Sequence, residues 1–464
     1  MITQRYGDLE VAITRSTNRS WPIPNHPSAP PVSGSHQIRM GVRSADEGWW
    51  PVGCQFGPGA GPEGVGAVLL RDLSADRSLL RPPVDWQLLG DLPQALGQGV
   101  VRVWRPVPPP GYVALSDFAG RFDSWAICIK QEHNGRVYAR RGEVGEQLLQ
   151  HGSMRLWSVV TPPYPDGDLD ERLFLPVGGF TAVLTGGRPD PTPTTWILDL
   201  PAAVERGPGP GIPVLASAAR PPAQTRVTDR TVTVPYFMVN DPARTLDWQI
   251  QNSPFYRIRR HRVFDLVLFR DNRAGTVAQT ESQRITTGVT REAGSSFSVA
   301  TGITVGASVG VEMSAKPFGV GASTTVTASV SASVEVGYET RSNVSTMVEE
   351  GKERGLVIPA RSTGCLWMEH HELVPVRADG STLGSQAALG FRTDYYVTGE
   401  FPGGAGVIPF TSDASGKRTP LPARHMPTSR PWATVDTPPP GTLTERTGPA
   451  EEQQPNSSNQ DGCT

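Results

Sequence analysis

From Phe297 to Met313 the chain alternates. Phe297, Val299, Ile303, Val305, Ala307, Val309, Val311 and Met313 are apolar, and the residues between them are small or polar apart from Glu312. The stretch 324–340 alternates in the same way. Val326, Val330, Val334, Val336 and Tyr338 fall on one face, and Ser, Thr, Gly, Glu335 and Glu339 on the other. A period of two is the period of a β-strand, and the Pro- and Gly-containing run "AKPFGVGAS" between the two stretches supplies a turn. The pattern predicts a long amphipathic hairpin over 295–340, with Lys316, Pro317 and Phe318 at its tip.

Shorter strand-like runs fill the rest of the chain. "FYRIRRHRVFDLVLF" (255–269) predicts a long strand, and "GLVIPARSTGCLWMEHHELVPV" (355–376) a strand pair. Upstream, "VDWQLLGDLPQALGQGVVRVW" runs parallel to "RVYARRGEVGEQLLQHGSMRLW", and Trp50, Trp104 and Trp157 recur at nearly constant spacing. Such a period predicts three stacked β units. Each unit is followed by a short strand: "VGAVLLRDL", "SWAICIKQE", and then "GGFTAVLTG" or "TTWILDL". The expected fold is all-β. A pseudo-threefold, β-prism-like domain (37–200) follows an N-terminal arm (1–36), and a Pro/Gly-rich linker (201–230) leads to an elongated β-sheet domain (231–402). A Pro-rich flexible tail (403–464), a possible propeptide, completes the chain.

Composition sharpens this picture. With 50 Gly and 45 Pro among 464 residues, many short strands and turns fit better than helices. Lys plus Arg (43) nearly balances Asp plus Glu (45), which gives no global field for nucleic acid. Arg257, Arg259, Arg260 and Arg262 form a local basic run that could meet phosphates or lipid headgroups, and it is read first as a solvated strand face. Four scattered cysteines without a CxxC pair argue for buried thiols rather than a disulfide scaffold or zinc site. The N-terminus lacks the basic and apolar regions of a secretory signal, and no run of apolar residues is long enough for a helical membrane span.

A β-strand crosses a bilayer in about 9–11 residues, provided that a closed barrel satisfies its backbone. Each arm of the predicted hairpin exceeds that. Small polar residues suit a face that lies against soluble protein in one state and lines a narrow aqueous lumen in another. Glu312, Glu335 and Glu339 would line that lumen and favour cations.

The motifs "LLRPPVDWQLL", "VWRPVPPPGYVALSDF" and "LFLPVGGFTAV" resemble the vacuolar-protein-sorting-62 repeat family. Taken with the toxin resemblance given next, the β-prism-like head is implied to bind a surface glycan or lipid, with Trp50, Trp104, Tyr112, Asp117 and Trp157 as candidate receptor contacts. Ser116 stands where the family reads Gly. The first repeat lacks the PPGY element.

The region 231–402, with its Ser/Thr-rich hairpin between long strands, resembles the aerolysin-like β-pore-forming toxins. The resemblance implies receptor binding at a target membrane, homo-oligomerisation and insertion of the hairpin into a transmembrane barrel. It also implies activation by proteolysis, for which Lys417, Arg418 and Arg424 are candidate cleavage points. Release outside the producing cell is expected despite the missing signal.

Other motifs carry less. "GASVG" matches a nucleophile elbow, but Ser308 is mid-strand where that chemistry needs a strand-to-helix turn. "GAGPEG" contains Pro62 and has no helix after it, so it makes no phosphate cradle. His370 and His371 are neighbours on a strand, point to opposite faces and cannot share one metal ion. No catalytic constellation, metal site or cofactor is expected. The competing reading is a glycan- or lipid-binding adhesin with a β stalk; a trafficking role rests on a family name alone.

Overall fold

The computed structural model describes residues 1–15, 19–23, 36–40, 48–58, 66–94, 99–120, 126–162, 172–175, 177–184, 187–289, 291–301, 311–314, 329–332, 350–384, 387–413 and 415–421. It is all-β, with two short helices (Leu246–Asn252 and Arg291–Thr301) and a 3₁₀ turn (Tyr236–Met238) among these residues.

The N-terminal half repeats one connectivity three times. In each repeat a hairpin and one later strand make a three-stranded sheet centred on the hairpin's second strand. These are Arg19–Ile23, His36–Met40 and Cys54–Pro58; Asp85–Pro93, Val100–Val107 and Phe118–Ala119; and Glu143–His151, Met154–Val160 and Phe180–Val183. A second sheet in each repeat places its last strand in the middle. Gly66–Asp72 lies between Leu9–Arg15 and Trp49–Pro51, Cys128–Lys130 between Leu80–Arg81 and Tyr112–Val113, and Trp196–Pro201 between Ala139–Arg141 and Arg172–Leu175. Each unit therefore divides its strands between two sheets.

This topology corrects the phase of the repeat. Trp104 and Trp157 lie on equivalent hairpin strands, but Trp50 lies on a strand equivalent to Tyr112–Val113. The true counterparts Cys54, Phe118 and Phe180 begin strands 64 and 62 residues apart. Of the two candidates for the third closing strand, "TTWILDL" is the equivalent one. Residues 3–15 of the expected arm are also part of the fold, since Thr3–Tyr6 and Leu9–Arg15 pair and bury Tyr6, Leu9 and Val11.

The C-terminal half is a folded ribbon. Phe255–Asp271 alternates buried and half-buried positions and is 17 residues long, about 56 Å at the usual rise per residue. It pairs along its length with Thr363–Val376 in a five-stranded sheet completed by Ala203–Arg206, Val227–Pro235 and Leu389–Phe401. Beyond Asp271 and before Thr363 the same two chains pair again as Gln279–Thr287 and Glu350–Ile358, in a four-stranded sheet with Ile408–Ser412 and Arg418–Pro420. Asn272 makes the corner: its Nδ2 donates to the carbonyls of Val277, Ile358 and Pro359. The smaller sheet folds back so that Ile285, Leu356 and Ile358 pack on Leu268, Leu366, Met368 and Tyr396.

Two expectations change here. Residues 201–230 do not hang free as a linker. Ala203–Arg206 is a strand, Leu215 is buried with Phe264, Cys365 and Trp367, and the Gln224 side chain accepts from the Phe264 amide. A single apolar cluster runs from the repeats (Leu70, Leu173, Leu198) into the ribbon (Ile258, Phe391). Nor does a tail start at 403. Residues 408–420 form a hairpin on the edge of Glu350–Ile358, with Phe410 buried over Gly355, where a Cβ would lie 2.2 Å from its ring. Only glycine admits that contact.

Candidate membrane-insertion segment

Residues 288–349 leave and rejoin the fold at one point. Thr287 is paired with Glu350, so the segment is inserted between adjacent antiparallel strands. Those two strands form its stem. On the inner face of the stem the buried residues are odd-numbered in the first strand (Ile285, Thr287) and even-numbered in the second (Arg354, Leu356, Ile358). The apolar alternation within the segment is odd-numbered in the first arm and even-numbered in the second. The two patterns are in phase, and an unbroken strand pair from the stem would carry the inner face straight into the apolar face.

Short pieces of the two arms are paired in this form of the protein. Val311–Ser314 runs antiparallel to Ser329–Ala332, with Val311 opposite Ala332, Met313 opposite Val330 and Glu312 opposite Ser331. Apolar positions thus meet apolar positions. The backbone of 329–331 also pairs with Arg172–Phe174 of the third repeat.

The start of the expected first arm is different. Phe297 and Val299 lie in the helix Arg291–Thr301, not in a strand. The helical spacing of Ala293, Phe297, Ala300 and Thr301 competes with the alternation of Phe297 and Val299, and burial decides between them. Phe297 is 1% exposed in the same cluster as Leu389 and Phe391, with Val289 and Ala293 packed beside it. The Thr301 hydroxyl donates to the Phe297 carbonyl. Ile303, Val305, Val309, Val326, Val334, Val336, Glu335, Glu339, Lys316, Pro317 and Phe318 lie outside the described residues.

The basic run on Phe255–Asp271 is divided between the two faces of its sheet. Arg257 and Arg259 are half-buried, and Arg257 donates to the Ala378 carbonyl. Arg260 and Arg262 point inward. Arg260 grips Asp229 through two bonds (2.8 and 2.5 Å), and Arg262 joins Asp229 (3.0 Å) to Glu369. These interior arginines hold three strands in register and are not available to a phosphate.

Residues 229–390 match the family model described as insecticidal crystal toxin, P42. The match spans the long strands and the inserted segment. Two solved structures are similar at low level. GNIP1Aa from Chromobacterium piscinae is 17% identical over 39% of this chain and 34% of its own length, with a TM-score of 0.27. Cry35Ab1 is 11% identical over 86% of this chain and 91% of its own, with a TM-score of 0.33. The chain thus spans about a third of GNIP1Aa. No curated protein matches this chain. No helix among the described residues is long and apolar enough to cross a membrane.

The candidate receptor contacts do not converge. Asp117 is fully buried, which removes it from a surface role: its carboxylate accepts from Arg105 Nε (2.9 Å) and Nη2 (2.8 Å), the Ala182 amide (2.7 Å) and the Thr194 hydroxyl (3.1 Å). Trp157 is buried at 9% exposure. Tyr112 is half-buried and its hydroxyl donates to the Ser78 carbonyl. Trp50 and Trp104 are half-buried on different sheets. Sequence reasoning missed the apolar surface beside Trp104. Leu88, directly across the strand from it, and Val100 are about half exposed, and the signal lay in the broken alternation of "WQLLGDL".

Of the candidate cleavage points, Arg424 lies outside the described residues. Lys417 and Arg418 sit in a closed hairpin. Asp413 accepts the amides of Ser415 and Lys417, and Arg418 pairs with Ser412 and stacks over Phe410. Proteases cut extended, unpaired backbone, so native protein should resist trypsin at both sites, and Asp413→Ala should accelerate cleavage there about tenfold or more. Mass spectrometry of the fragments over a digestion time course checks this; equal rates in the two proteins would refute the capping argument.

Proposed function

We propose that this chain is a β-pore-forming toxin of the insecticidal, aerolysin-like kind. The repeat domain docks on a target membrane through a glycan or lipid, copies of the chain assemble, and residues 288–349 refold into two strands of a shared barrel. The observation that carries the reading is the stem: two paired strands whose inner face is in phase with the apolar face of the segment between them. Barrel closure supplies a partner to every backbone group before the apolar faces meet lipid. The match of residues 229–390 to the insecticidal crystal toxin family supports the same reading.

In this mechanism the helix Arg291–Thr301 unwinds and Phe297 leaves its pocket. Glu312, Glu335 and Glu339 then face the lumen and select for cations. The outer edge of Gln279–Thr287 and the edge of Glu350–Ile358 under the 408–420 hairpin are the two surfaces through which neighbouring copies would pair. The test is dye release from liposomes of target-cell lipid extract, with protein before and after limited trypsin and the products imaged by negative stain. Leakage with ring-shaped oligomers is expected. Tight binding to intact liposomes as monomers would instead identify an adhesin.

A further inference from the structure

The adjacent histidines found in the sequence occupy a particular place in the fold. Gly288, the first residue of the inserted segment, is fastened to the five-stranded sheet by its amide, which donates to the Arg392 carbonyl (2.8 Å). On the other side of that same strand, Leu389–Phe401, the cross-strand partner of Arg392 is His370 and that of Phe391 is His371. The two imidazoles therefore lie on opposite faces of the sheet, one strand away from the point where the segment is held.

The His371 ring is 1% exposed and stacks on Phe391, with centroids 5.4 Å apart and planes 24° from parallel. Phe391 belongs to the apolar cluster that seats Phe297, Val289 and Ala293. Among the described residues, charged groups face His371 from its own strand and the next. On its own strand Glu369 lies 3.0 Å from Nε2, although neither ring nitrogen completes a well-directed hydrogen bond. Arg260 and Arg262 approach from the next strand, with Asp229 and Arg230 beyond them. From Leu389–Phe401 only the neutral Phe391 and Thr393 face it, and Glu292 of the helix packed on that strand is exposed. Glu369 and Asp229 are already engaged by the two arginines, so a proton on His371 places a further positive charge in a filled site.

His370, on the other face, lies 3.4 Å from Asp265, which Arg392 also contacts at 3.0 Å. Arg226, paired with Glu372, lies on that face, and His261, Arg259 and Arg257 face the same way from the neighbouring strand. Protonated His370 would share one carboxylate with the guanidinium directly across from it.

We propose that His370 and His371 form an acid-sensitive latch, which holds the start of residues 288–349 on the long sheet at neutral pH and lets it go when the pair protonates. The use of such a latch for insertion rests on the pore-forming reading above. Burial depresses both imidazoles below their ordinary range; Arg260 and Arg262 push His371 the same way against Glu369, and Arg392 and Arg226 push His370 the same way against Asp265. A histidine depressed in the folded state binds fewer protons there than when released. The latch is therefore fully closed above the ordinary imidazole pKa of about 6.5 and weakens as the pH falls, tenfold for each unit of depression.

The test is amide hydrogen exchange on the full chain in membrane-free buffer at about pH 7.5 and about pH 5.5, corrected for intrinsic rates. Protection over 288–301 should fall on acidification, by up to about tenfold for each histidine that protonates, while residues 255–271 keep theirs. The His370→Gln, His371→Phe double variant retains the stack on Phe391 and should lose that response. An unchanged wild type, or a variant that responds like it, would overturn the latch. If the variant does not fold, the histidine ring resonances of the wild type decide the matter: opening that tracks the His371 titration supports the latch, and opening while both rings stay neutral refutes it. A latch that opens without leakage from any liposome counts against the pore and leaves the latch standing.

Discussion

Replacing Met313 and Val330 together by lysine should abolish dye release while leaving liposome binding intact. The two residues are cross-strand partners on the apolar face of the alternating arms. In a barrel both would face lipid, where a lysine costs up to about 2–4 kcal/mol, the more the deeper it lies. That cost is incurred twice in each copy and multiplied around the ring. A control pair, Glu312→Gln with Ser331→Asn, sits one residue away on the polar face and should leave leakage intact while reducing its preference for cations. Release by the lysine variant at the wild-type rate would mean that this face never meets lipid.

The second large effect concerns the repeat domain. Asp117→Ala should lower stability by about 3–5 kcal/mol, because it strands the Arg105 guanidinium in the interior. Arg105 also donates to the Ala182 carbonyl, so the change loosens the junction between the second and third repeats. The denaturation midpoint, followed by fluorescence with the slope checked for constancy, measures this loss. A surface residue of a receptor site would behave in the opposite way, with stability unchanged and binding lost. That outcome would reverse the assignment made here.

The two residues also mark what could be read from the chain. The alternation around Met313 is local, so the amphipathic arms and the long strands Phe255–Asp271 and Thr363–Val376 are legible from spacing alone. The helix Arg291–Thr301 is not, because its stretch satisfies two periods and the choice depends on burial of Phe297 in an apolar cluster that includes Leu389 and Phe391, about a hundred residues later. Asp117 fails for a related reason. A carboxylate beside an aromatic in a Pro/Gly loop looks like a surface group until Arg105, Ala182 and Thr194 are brought around it by the fold. The same holds for Arg260 and Arg262, whose counter-charges come from two other strands, and for Phe410, whose seat is the missing side chain of Gly355.

The pairing of Thr287 with Glu350 sets a rule for how the inserted segment can change in length. An odd insertion in one arm would turn every later residue of that arm inside out, while two residues added to each arm preserve the match with the stem. Each such step lengthens a strand by about 6.6 Å, or roughly 5 Å of membrane thickness at a 45° tilt. The reach of the arms can therefore be adjusted to a thinner or thicker bilayer in even steps, without altering the fold that carries them.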